Sequence, residues 1–481
     1  MKLSELLKDI PVTAMTADPD TEIRDICYDS RAVQPGDLFV AVEGYKSDGH
    51  AYIPMAMEKG AAAVLCRRRP AEGIPFALVE DTRRALALAS AAYFGHPADK
   101  MVMIGVTGTN GKTTSTMLIK HMLEQTVGAK VGLVGTISNW VADRELHTER
   151  TTPESYDLQK LFYEMVQAGC THGVMEVSSH SLYLERVAGV RFQAGLFTNL
   201  TRDHLDFHET MENYAQAKAM LFSVCDRGAV NGDDPWSDFM AAQAKCPILR
   251  YGTAPGAALT AEDAVLTAAG VKFTARYGGE TAPVSLKIPG AFSVSNALTV
   301  LAAALLLKIP LKAAADSLGS AGGVKGRVEV VPTPEDFTVV IDYAHTPDAL
   351  EKVLQTMRGV AEGRVVALFG CGGDRDGTKR PIMGRIGAEN SDLAIITSDN
   401  PRTEKPEAII ADILKGVPEG AAVQVIADRR EAIAWAIDHH EPGDVIVLAG
   451  KGHETYQEIN GVKNHMDERE IVAEHLQRIG R

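Results

Sequence analysis

The sequence predicts an α/β fold of three domains, in which the central domain is doubly wound and the last is Rossmann-like. Short apolar runs alternate with helical segments after residue 99, as in parallel sheets that are covered by helices. The 481 residues correspond to about three domains of roughly 150 residues each. Breaks at residues 95–97 and 322–326 place the domains at 1–98, 99–326 and 327–481.

The first predicted domain mixes short strands with a helix. Residues 38–42 are apolar and follow the turn formed by residues 35–37, so we expect a strand there, and residues 61–65 are a second apolar run. The alanine- and leucine-rich stretch 82–94 predicts a helix.

The second and third predicted domains show the alternation that parallel sheets require. Strands are predicted at residues 101–106, 173–177, 195–198, 338–342, 365–369, 393–397, 423–427 and 445–449. Helices are predicted at residues 113–125, 211–222, 295–307, 347–360 and 406–414. The Thr-, Ala- and Gly-rich stretch 252–279 is expected to be irregular or stranded.

The composition excludes several classes of protein. A net charge of −14 argues against a general nucleic-acid binder, although a local pocket for a small anion remains compatible with it. The six cysteines show no CxxC or zinc pattern, so a reducing compartment fits best. The N-terminus lacks the apolar core of a signal peptide, and the apolar run 297–307 is too short to span a bilayer. We therefore expect a cytoplasmic protein with no membrane partner.

The sharpest motif is a phosphate-binding loop, or P-loop, at residues 105–114 (GVTGTNGKTT). It follows a predicted strand and opens a predicted helix, the context that such loops require. Its glycines let backbone N–H groups surround phosphate oxygens, Lys112 can neutralise the β- and γ-phosphates, and Thr113 can bind Mg²⁺. Val106 stands where the usual pattern has its first glycine, so the loop is a GxxGKTT variant. The alternative is a glycine-rich turn that caps a helix.

This loop and other motifs resemble those of the Mur ligases, which build the peptide stem of peptidoglycan, and of the related folylpolyglutamate synthetases. The motifs extend from about residue 20 to the C-terminus and are most similar to those of the third amino-acid-adding enzymes of the Mur family. They are Asp29-Ser30-Arg31, 35–41 (PGDLFVA), Thr151-Thr152-Pro153, 175–180 (MEVSSH), 203–208 (DHLDFH), 342–347 (DYAHTP) and 450–454 (GKGHE).

The resemblance implies an ATP-dependent carbon–nitrogen ligase that adds meso-diaminopimelate to UDP-N-acetylmuramoyl-L-alanyl-D-glutamate, and thereby serves cell-wall biogenesis, cell shape and cell division. Such a ligase uses ATP to form an acyl phosphate, which the incoming amine attacks, with release of ADP and phosphate. No enzyme nucleophile is needed, but charge around the phosphoryl group must be neutralised. The implied cofactor is Mg²⁺, the expected partners are these small molecules, and we expect a monomer.

The resemblance also assigns the ATP and metal contacts. The implied ATP contacts are Gly108, Thr109, Asn110, Gly111, Lys112, Thr113, Thr114, Asn296, Arg327 and Asp342. The implied Mg²⁺ ligands are Thr113 and Glu176 for one ion, His204 for a second, and Lys218 as a carbamate derived from carbon dioxide. The implied catalytic residues are Lys112, His204 and Lys218. Asn296 is expected at the start of its helix. The alternatives are caps, surface charges or salt bridges at these positions.

Two of these positions can also be interpreted from their sequence neighbours. Lys218 lies among small and apolar residues, so its pKa is expected to be lowered, and a neutral amine can react with carbon dioxide. A lysine that extends from a helix surface is the alternative. His204 and His208 are four residues apart and could share a helix face, as zinc ligands do. The resemblance implies only His204 as a ligand, and structural histidines are the alternative.

Six positions match the UDP-substrate contacts of the family: Tyr28, Ser30, Thr151, Thr152, Ser178 and Arg186. Arg186 could clamp the D-glutamyl carboxylate or the phosphates. The family has a glutamine two residues before this arginine, where this chain has Leu184, so that side-chain contact is in doubt.

The Asp399-Asn400-Pro401-Arg402 motif follows the predicted strand 393–397, where doubly wound folds bind ligands. In the family, an arginine here marks enzymes that use diaminopimelate, and other residues mark those that use lysine. Diaminopimelate is lysine with one more carboxylate, which a guanidinium can hold bidentately. Arg375, Gly450 and Glu454 match further contacts to diaminopimelate. A turn with a surface arginine is the alternative.

Other functions fit parts of the sequence. A lysine-adding ligase would differ in the amino-acid site, and a folylpolyglutamate synthetase would lack the UDP-type first domain. A P-loop NTPase that acts as a switch or motor would turn over ATP without an amino acid. A pure nucleotide-binding module would leave His204 and Lys218 unexplained.

Overall fold

The computed structural model describes residues 1–44, 47–148, 150–267, 270–334 and 336–480. These residues form two units. The first unit consists of Met1–Ala261, Ala275–Ala282 and Ser295–Ser317, and the second of Glu262–Thr274, Pro283–Val294 and Leu318–Arg481. The domain limits at residues 98 and 326 stay predictions.

The N-terminal residues form a five-stranded sheet. Its strands are β1 (Val12–Met15), β2 (Ile26–Cys27), β3 (Leu38–Val40), β4 (Ala63–Cys66) and β5 (Phe76–Val79), and its helices are α1 (Leu3–Leu6), α2 (Ile53–Glu58) and α3 (Thr82–Tyr93). The strand order is β1-β5-β4-β3-β2, with β1 antiparallel to β5 and the other pairs parallel. Asp81 caps α3 by accepting hydrogen bonds from the backbone N–H groups of Arg83 and Arg84.

The central region contributes eleven strands and eight helices to the described part of the chain. The strands are β6 (Val102–Thr107), β7 (Val131–Val134), β8 (Asn139–Val141), β9 (Arg144–Leu146), β10 (His172–Glu176), β11 (Ala194–Phe197), β12 (Gly228–Asn231), β13 (Ile248–Gly252), β14 (Leu259–Thr267), β15 (Gly270–Tyr277) and β16 (Glu280–Leu286). The helices are α4 (Lys112–Val127), α5 (Ser155–Gln167), α6 (Ser179–Tyr183), α7 (Leu205–His208), α8 (Met211–Ala219), α9 (Ser237–Gln243), α10 (Ala291–Leu306) and α11 (Leu311–Gly319). The strand order is β16-β15-β14-β13-β12-β11-β6-β10-β7-β8-β9.

Parallel pairing brings the carboxyl ends of the central strands side by side. Glu176 at the end of β10 pairs with Val106 of β6, and Phe197 at the end of β11 pairs with Thr107 of β6. The loops that follow β6, β10 and β11 therefore leave from neighbouring points on one edge of the sheet. Doubly wound folds bind their ligands at such an edge.

The C-terminal residues form a six-stranded sheet. Its strands are β17 (Glu329–Val331), β18 (Phe337–Asp342), β19 (Val365–Phe369), β20 (Leu393–Ile396), β21 (Val423–Val425) and β22 (Asp444–Ala449). Its helices are α12 (Pro347–Arg358), α13 (Lys379–Glu389), α14 (Pro406–Leu414), α15 (Arg429–Asp438) and α16 (Glu468–Arg478), and β23 (Tyr456–Ile459) pairs with β24 (Val462–His465). The strand order is β17-β18-β22-β19-β20-β21, and every pair except β17–β18 is parallel.

Alternate residues of this sheet belong to two separate apolar cores. Ala367 and Val447 pack with the side chains of α12, α13 and α14, whereas Leu368 and Leu448 pack with those of α15 and α16. Both faces are therefore covered by helices. This confirms the Rossmann-like, doubly wound architecture that the sequence predicts for this region.

An ion pair is fully buried between α15 and α16. Both side chains, Arg429 and Glu468, are 0% exposed, and the guanidinium Nη2 lies 2.8 Å from Glu468 Oε1. The same Nη2 donates to the backbone oxygen of Ala449 at the end of β22, at 2.8 Å. The pair therefore links both helices to the end of a central strand.

Most predicted elements are confirmed, two of them with the predicted bounds, β19 and α14. The stretch 252–279 is largely stranded, in β14 and β15. The prediction that Asn296 lies at the start of its helix is wrong, because α10 already begins at Ala291, directly after Gly290, whose φ is 101°. Among the described residues, no helix is long and apolar enough to cross a membrane.

We expect Glu468→Ala to lower the free energy of unfolding of the C-terminal region by about 3–5 kcal/mol, because it leaves a buried guanidinium without its counter-charge. Chemical denaturation followed by circular dichroism measures the loss. The matched control is Glu474→Ala, which removes the neighbouring exposed pair with Arg430 and should cost less than about 1 kcal/mol. Equal losses in the two variants would contradict a special role for the buried pair.

Candidate active site

The P-loop begins where β6 ends and leads into α4. Gly108 has a φ of 149° and Gly111 a φ of 81°. A Cβ at Gly108 would lie 1.9 Å from Thr198 Oγ1, and one at Gly111 would lie 2.6 Å from Asn296 Oδ1. Both positions therefore require glycine, and the helix N-terminus that follows is suited to an anion. The structure thus supports the P-loop over a simple capping turn.

Residues that follow β11 hold the P-loop in place through hydrogen bonds. Asn199 Oδ1 accepts a hydrogen bond from the backbone N–H of Asn110 at 2.9 Å, and its backbone oxygen accepts one from that of Thr109 at 2.8 Å. Thr198 Oγ1 donates to the backbone oxygen of Asn110 at 2.7 Å. Sequence reasoning missed Thr198 and Asn199. Their position at the carboxyl end of a predicted central strand was the available signal.

Two lysine side chains meet at the backbone oxygen of Gly108. Lys112 Nζ donates to it at 2.9 Å and Lys218 Nζ at 2.7 Å. Lys218 is only 1% exposed and its Nζ lies 4.4 Å from the ring centre of Tyr214. Burial, reinforced by the charge of Lys112, holds the pKa of Lys218 well below its ordinary value. The alternative of a surface lysine is therefore wrong, and the surroundings favour the neutral amine over the ammonium form.

Glu176 is buried at the end of β10, beside the P-loop helix. Its Oε2 accepts hydrogen bonds from Thr113 Oγ1 at 3.1 Å and from Thr136 Oγ1 at 3.0 Å, and its Oε1 accepts one from the backbone N–H of Thr136 at 2.8 Å. The alternative of a surface glutamate is wrong. The predicted ligands Thr113 and Glu176 are thus brought together, and Thr136, after β7, was missed.

His204 and His208 occupy different environments. His204 has a φ of 53° and precedes α7, which has only four residues, so the two histidines do not share a helix face. His204 Nε2 lies 3.4 Å from Asp203 Oδ2, and the side chain is about half exposed. His208 is buried, and its Nε2 lies 2.9 Å from Ser179 Oγ. His208 is therefore structural, and the zinc-like pairing is not formed.

His180 lies between these two histidines. Its ring centre is 4.9 Å from that of His204 and 5.4 Å from that of His208. Burial, together with the charges of His204 and Arg186, lowers the pKa of His180 to about 4. Burial also lowers the pKa of His208 to about 4 and shifts that of His204 downward. The three rings are therefore neutral at physiological pH, and His204 is able to offer a lone pair to a cation.

The predicted UDP-substrate residues fall into two groups within the first unit. Tyr28 and Ser30 line a cleft of about 860 Å³ whose cationic lining residues are Arg31, Arg83 and Arg150. The other group lies near the end of β10. There, Thr152 Oγ1 donates to the backbone oxygen of Glu176 at 2.9 Å and to Ser178 Oγ at 3.4 Å, and Thr151 Oγ1 lies 3.0 Å from Thr136 Oγ1.

Arg186 connects this second group to the cleft. Its Nη1 donates to the backbone oxygen of Thr152 at 3.1 Å, and its Nη2 lies 2.7 Å from Oε1 of Glu154, which lines the cleft. Burial lowers the pKa of Arg186, and the carboxylate of Glu154 opposes this shift. Leu184 ends α6 as its C-cap and offers no side-chain hydrogen bond.

The second unit contains the remaining predicted ATP contacts. Asp342 is buried at the end of β18, and its Oδ2 accepts a hydrogen bond from the backbone N–H of Val328 at 2.8 Å. Burial raises the pKa of Asp342, although the charge of Arg327 opposes the change. The Arg327 guanidinium lies 4.9 Å from the ring centre of Tyr343.

The predicted amino-acid site brings together the loops that follow β20 and β22. Asp399 and Asn400 are buried, and a Cβ at Gly450 would lie 2.7 Å from Asp399 Oδ2. Asn400 Nδ2 donates to Glu454 Oε2 at 2.9 Å. Burial would raise the pKa of Asp399, but the charges of Lys451 and Arg429 outweigh it and the pKa is lowered.

Arg402 has a defined orientation in this site. Its φ is 51°, its Nη1 donates to the backbone oxygen of Gly373 at 2.8 Å, and its Nε lies 3.2 Å from Glu458 Oε2. Arg375 is exposed, and its Nη1 donates to the backbone oxygen of Asp374 at 3.3 Å. A Cβ at Gly372 would lie 2.9 Å from Arg402 Nη1 and 4.0 Å from Arg375 Cγ, so the two side chains border the same point of the site. The alternative of a loose surface arginine is wrong for Arg402.

The chain is 47% identical to the UDP-N-acetylmuramoyl-L-alanyl-D-glutamate–2,6-diaminopimelate ligase 1 of Clostridium acetobutylicum, and the match covers 100% of both chains. The chain belongs to the Mur ligase family. Three family models agree: the Mur ligase family catalytic domain at residues 22–116, the Mur ligase middle domain at 106–304 and the Mur ligase glutamate ligase domain at 326–452. The predicted family and fold class are confirmed.

Two further relatives carry the same enzyme name. The ligase of Clostridium tetani is 46% identical, with 100% of both chains covered. A solved structure of a UDP-N-acetylmuramoyl-L-alanyl-D-glutamate–2,6-diaminopimelate ligase is 33% identical and superimposes with a TM-score of 0.74, covering 100% of this Mur ligase and 99% of that chain. The predicted function agrees with these names.

We expect Gly108→Ala to weaken ATP binding by about tenfold or more, because the added Cβ would collide with Thr198 and displace the carbonyl that Lys112 and Lys218 share. Titration calorimetry measures the affinity. The matched control is Gly128→Ala at the other end of α4, where φ is also positive and no atom lies within 4 Å. That control should lose about 1 kcal/mol of stability and keep its ATP affinity. Unchanged ATP affinity in Gly108→Ala would contradict the P-loop.

Proposed function

We propose that the protein is an ATP-dependent ligase that joins meso-diaminopimelate to UDP-N-acetylmuramoyl-L-alanyl-D-glutamate in peptidoglycan precursor synthesis. The observation that carries the proposal is the amino-acid site, where Arg402 and Arg375 border the same glycine and Glu454 joins the adjoining loop. Two guanidinium groups suit the two carboxylates of diaminopimelate, and a carboxylate suits one of its ammonium groups. The full-length similarity to ligases of this name supports the same substrate.

The reaction we propose has two steps. The D-glutamyl carboxylate attacks the γ-phosphorus of ATP, ADP leaves, and an acyl phosphate forms. The neutral amine of diaminopimelate then attacks the acyl carbon, the carbon–oxygen bond to phosphate breaks, and the amine loses a proton as the amide forms. Lys112, fixed at the P-loop by the backbone oxygens of Gly108 and Thr109, offsets the negative charge of the transferred phosphoryl group.

The residues around Glu176 fit a magnesium ion. The Thr113 hydroxyl and the Glu176 carboxylate are hard oxygen ligands that already lie 3.1 Å apart. We infer that these two residues would hold one Mg²⁺, that His204 would hold a second, and that the carbamate of Lys218 would also supply metal ligands. A bound Mg²⁺ supplies positive charge to the phosphate oxygens.

Lys218 is the residue that we propose to be carboxylated. Its amine is buried and its pKa is lowered, so the nitrogen lone pair is available to attack carbon dioxide. A carbon–nitrogen bond forms, and the nitrogen releases one proton to give a carbamate. The product places a negative charge beside the positive charge of Lys112.

The UDP end of the substrate is assigned to the cleft near Tyr28 and Ser30. Three guanidinium groups, those of Arg31, Arg83 and Arg150, line this cleft, together with the carboxylates of Asp29, Glu154 and Asp157. Guanidinium groups suit a diphosphate. We infer that Arg186 and Thr152 bind the part of the substrate that extends from this cleft toward Glu176.

We also infer that the protein acts as a cytoplasmic monomer whose partners are these three small molecules, without nucleic acid or membrane. The acidic net charge supports the absence of a nucleic-acid partner. The resemblance to the family supports the cytoplasmic location, the monomeric state, the three small-molecule partners and the absence of a membrane partner.

The deciding experiment measures phosphate release from ATP with UDP-N-acetylmuramoyl-L-alanyl-D-glutamate and either diaminopimelate, lysine or no amino acid. We expect release only with diaminopimelate, and none from a folded Lys112→Ala variant. A preference for lysine would replace the proposed substrate with its closest competitor. ATP turnover without an amino acid would indicate an NTPase instead.

We expect Lys218→Ala to lose most of its ligase activity, because the variant cannot form the carbamate. Short carboxylic acids should restore part of it by occupying the vacated space, whereas bicarbonate should not. The control is Lys160→Ala, which removes an exposed lysine of α5 in the same unit. A fully active Lys218→Ala enzyme would refute the carbamate.

We expect Arg402→Ala to reduce the preference for diaminopimelate over lysine by tens- to thousands-fold. The lost contact to a buried carboxylate costs on the order of 2–5 kcal/mol. The measurement is the ratio of kcat/KM for the two amino acids. Arg402→Lys should give an intermediate ratio, since it keeps the charge and loses the bidentate geometry. If the ratio stayed at the wild-type value, Arg402 would not bind the distal carboxylate.

A further inference from the structure

Lys451 lies completely inside the C-terminal unit, directly behind the proposed amino-acid site. Its side chain is 0% exposed. Its Nζ donates to Asn400 Oδ1 at 3.0 Å and to Glu454 Oε2 at 2.9 Å. Asn400 Nδ2 donates to the same Glu454 oxygen at 2.9 Å. The three side chains therefore close a ring of hydrogen bonds between the loop after β20 and the loop after β22.

The ring of hydrogen bonds around Lys451 also contains opposite charges. The Glu454 carboxylate is 15% exposed, and Asp399 is buried beside Gly450. Lys451 is one of two buried cations, with Arg429, that act on the Asp399 carboxylate. Burying this ammonium costs desolvation free energy, which its charged and polar partners offset.

The ring also reaches Arg402 through the hairpin strand β23. Asn400 Oδ1 accepts a second hydrogen bond, from the backbone N–H of Glu458 at 2.9 Å. The backbone N–H of Arg402 donates to the backbone oxygen of Glu458 at 3.1 Å, and the Arg402 Nε lies 3.2 Å from Glu458 Oε2. The orientation of Asn400 thus fixes the strand that holds the Arg402 guanidinium.

We propose that Lys451 is a positioning residue for the amino-acid substrate, which sets Glu454 and Arg402 at a fixed separation by joining both of their loops through Asn400. Both donors of the ring bind Glu454 through Oε2, and among the described residues Oε1 takes no side-chain hydrogen bond. Oε1 is thereby presented to an ammonium group of the substrate. Lys451 itself is too buried to touch the substrate, so it acts through its partners. This inference rests on the proposed function of the site.

The test is Lys451→Met, which keeps the length of the side chain and removes its charge. We expect the KM for diaminopimelate to rise about tenfold or more, with the KM values for ATP and for the UDP substrate nearly unchanged. The matched control is Lys463→Met, because Lys463 and Lys451 both lie over the ring of Tyr456, at 4.5 and 5.5 Å, but Lys463 is exposed. Equal rises in all three KM values, or no rise, would overturn the proposal.

A double-mutant cycle with Glu454→Gln separates positioning from stability. The variant Lys451→Met/Glu454→Gln removes one positive and one negative charge, so it is expected to fold even where the single variant is unstable. Because Lys451 acts through Glu454, we expect its substitution to add little to the KM once Glu454 is neutral. Additive effects of the two substitutions on the KM would refute the positioning role.

The choice of amino acid keeps the two proposals distinguishable. The wild-type enzyme is first assayed with diaminopimelate and with lysine. If it adds lysine, the proposed function fails, and the dependence on Lys451 is then measured on the KM for lysine. If it adds diaminopimelate and Lys451→Met leaves that KM unchanged, only the positioning role fails.

Discussion

The backbone oxygen of Gly108 receives two lysine side chains, and the geometry of the P-loop depends on this contact. A Cβ at Gly108 would collide with Thr198, so the loop after β11 and the loop after β6 constrain each other. Lys218 reaches the same point from α8. Gly108 therefore contacts two segments, around Thr198 and Lys218, that are far from it in the sequence.

The amino-acid site follows a different electrostatic principle. Around Gly108, like charges are brought together and one amine is driven toward its neutral form. Around Asn400, opposite charges alternate, with Lys451 between the carboxylates of Asp399 and Glu454. The first arrangement lowers the pKa of an amine, and the second joins two loops through opposite charges and hydrogen bonds.

Short sequence motifs predicted those parts of the candidate site that lie within one continuous segment of the chain. The P-loop and the Asp-Asn-Pro-Arg loop each combine a strand end with a short motif, and the apolar neighbours of Lys218 correctly indicated its burial. Thr136 and Asn199 were missed because they reach the site through the pairing of strands that are distant in sequence. His204 and His208 do not share a helix face because His204, with its left-handed backbone, lies before α7 begins, and only His208 belongs to that helix.

The two amines at Gly108 also tie the energy of folding to the ligand. In the ligand-free chain, keeping Lys218 neutral beside the charged Lys112 costs free energy of folding, and an anion that binds at the loop offsets part of this cost. By thermodynamic linkage, an anion that binds the folded loop but not the unfolded chain stabilises the folded unit. The stabilisation grows with the concentration of the anion relative to its Kd. The nucleotide is thus both a reactant and a structural counter-ion, and the unit that contains Lys112 and Lys218 is most strongly held together when its substrate is abundant.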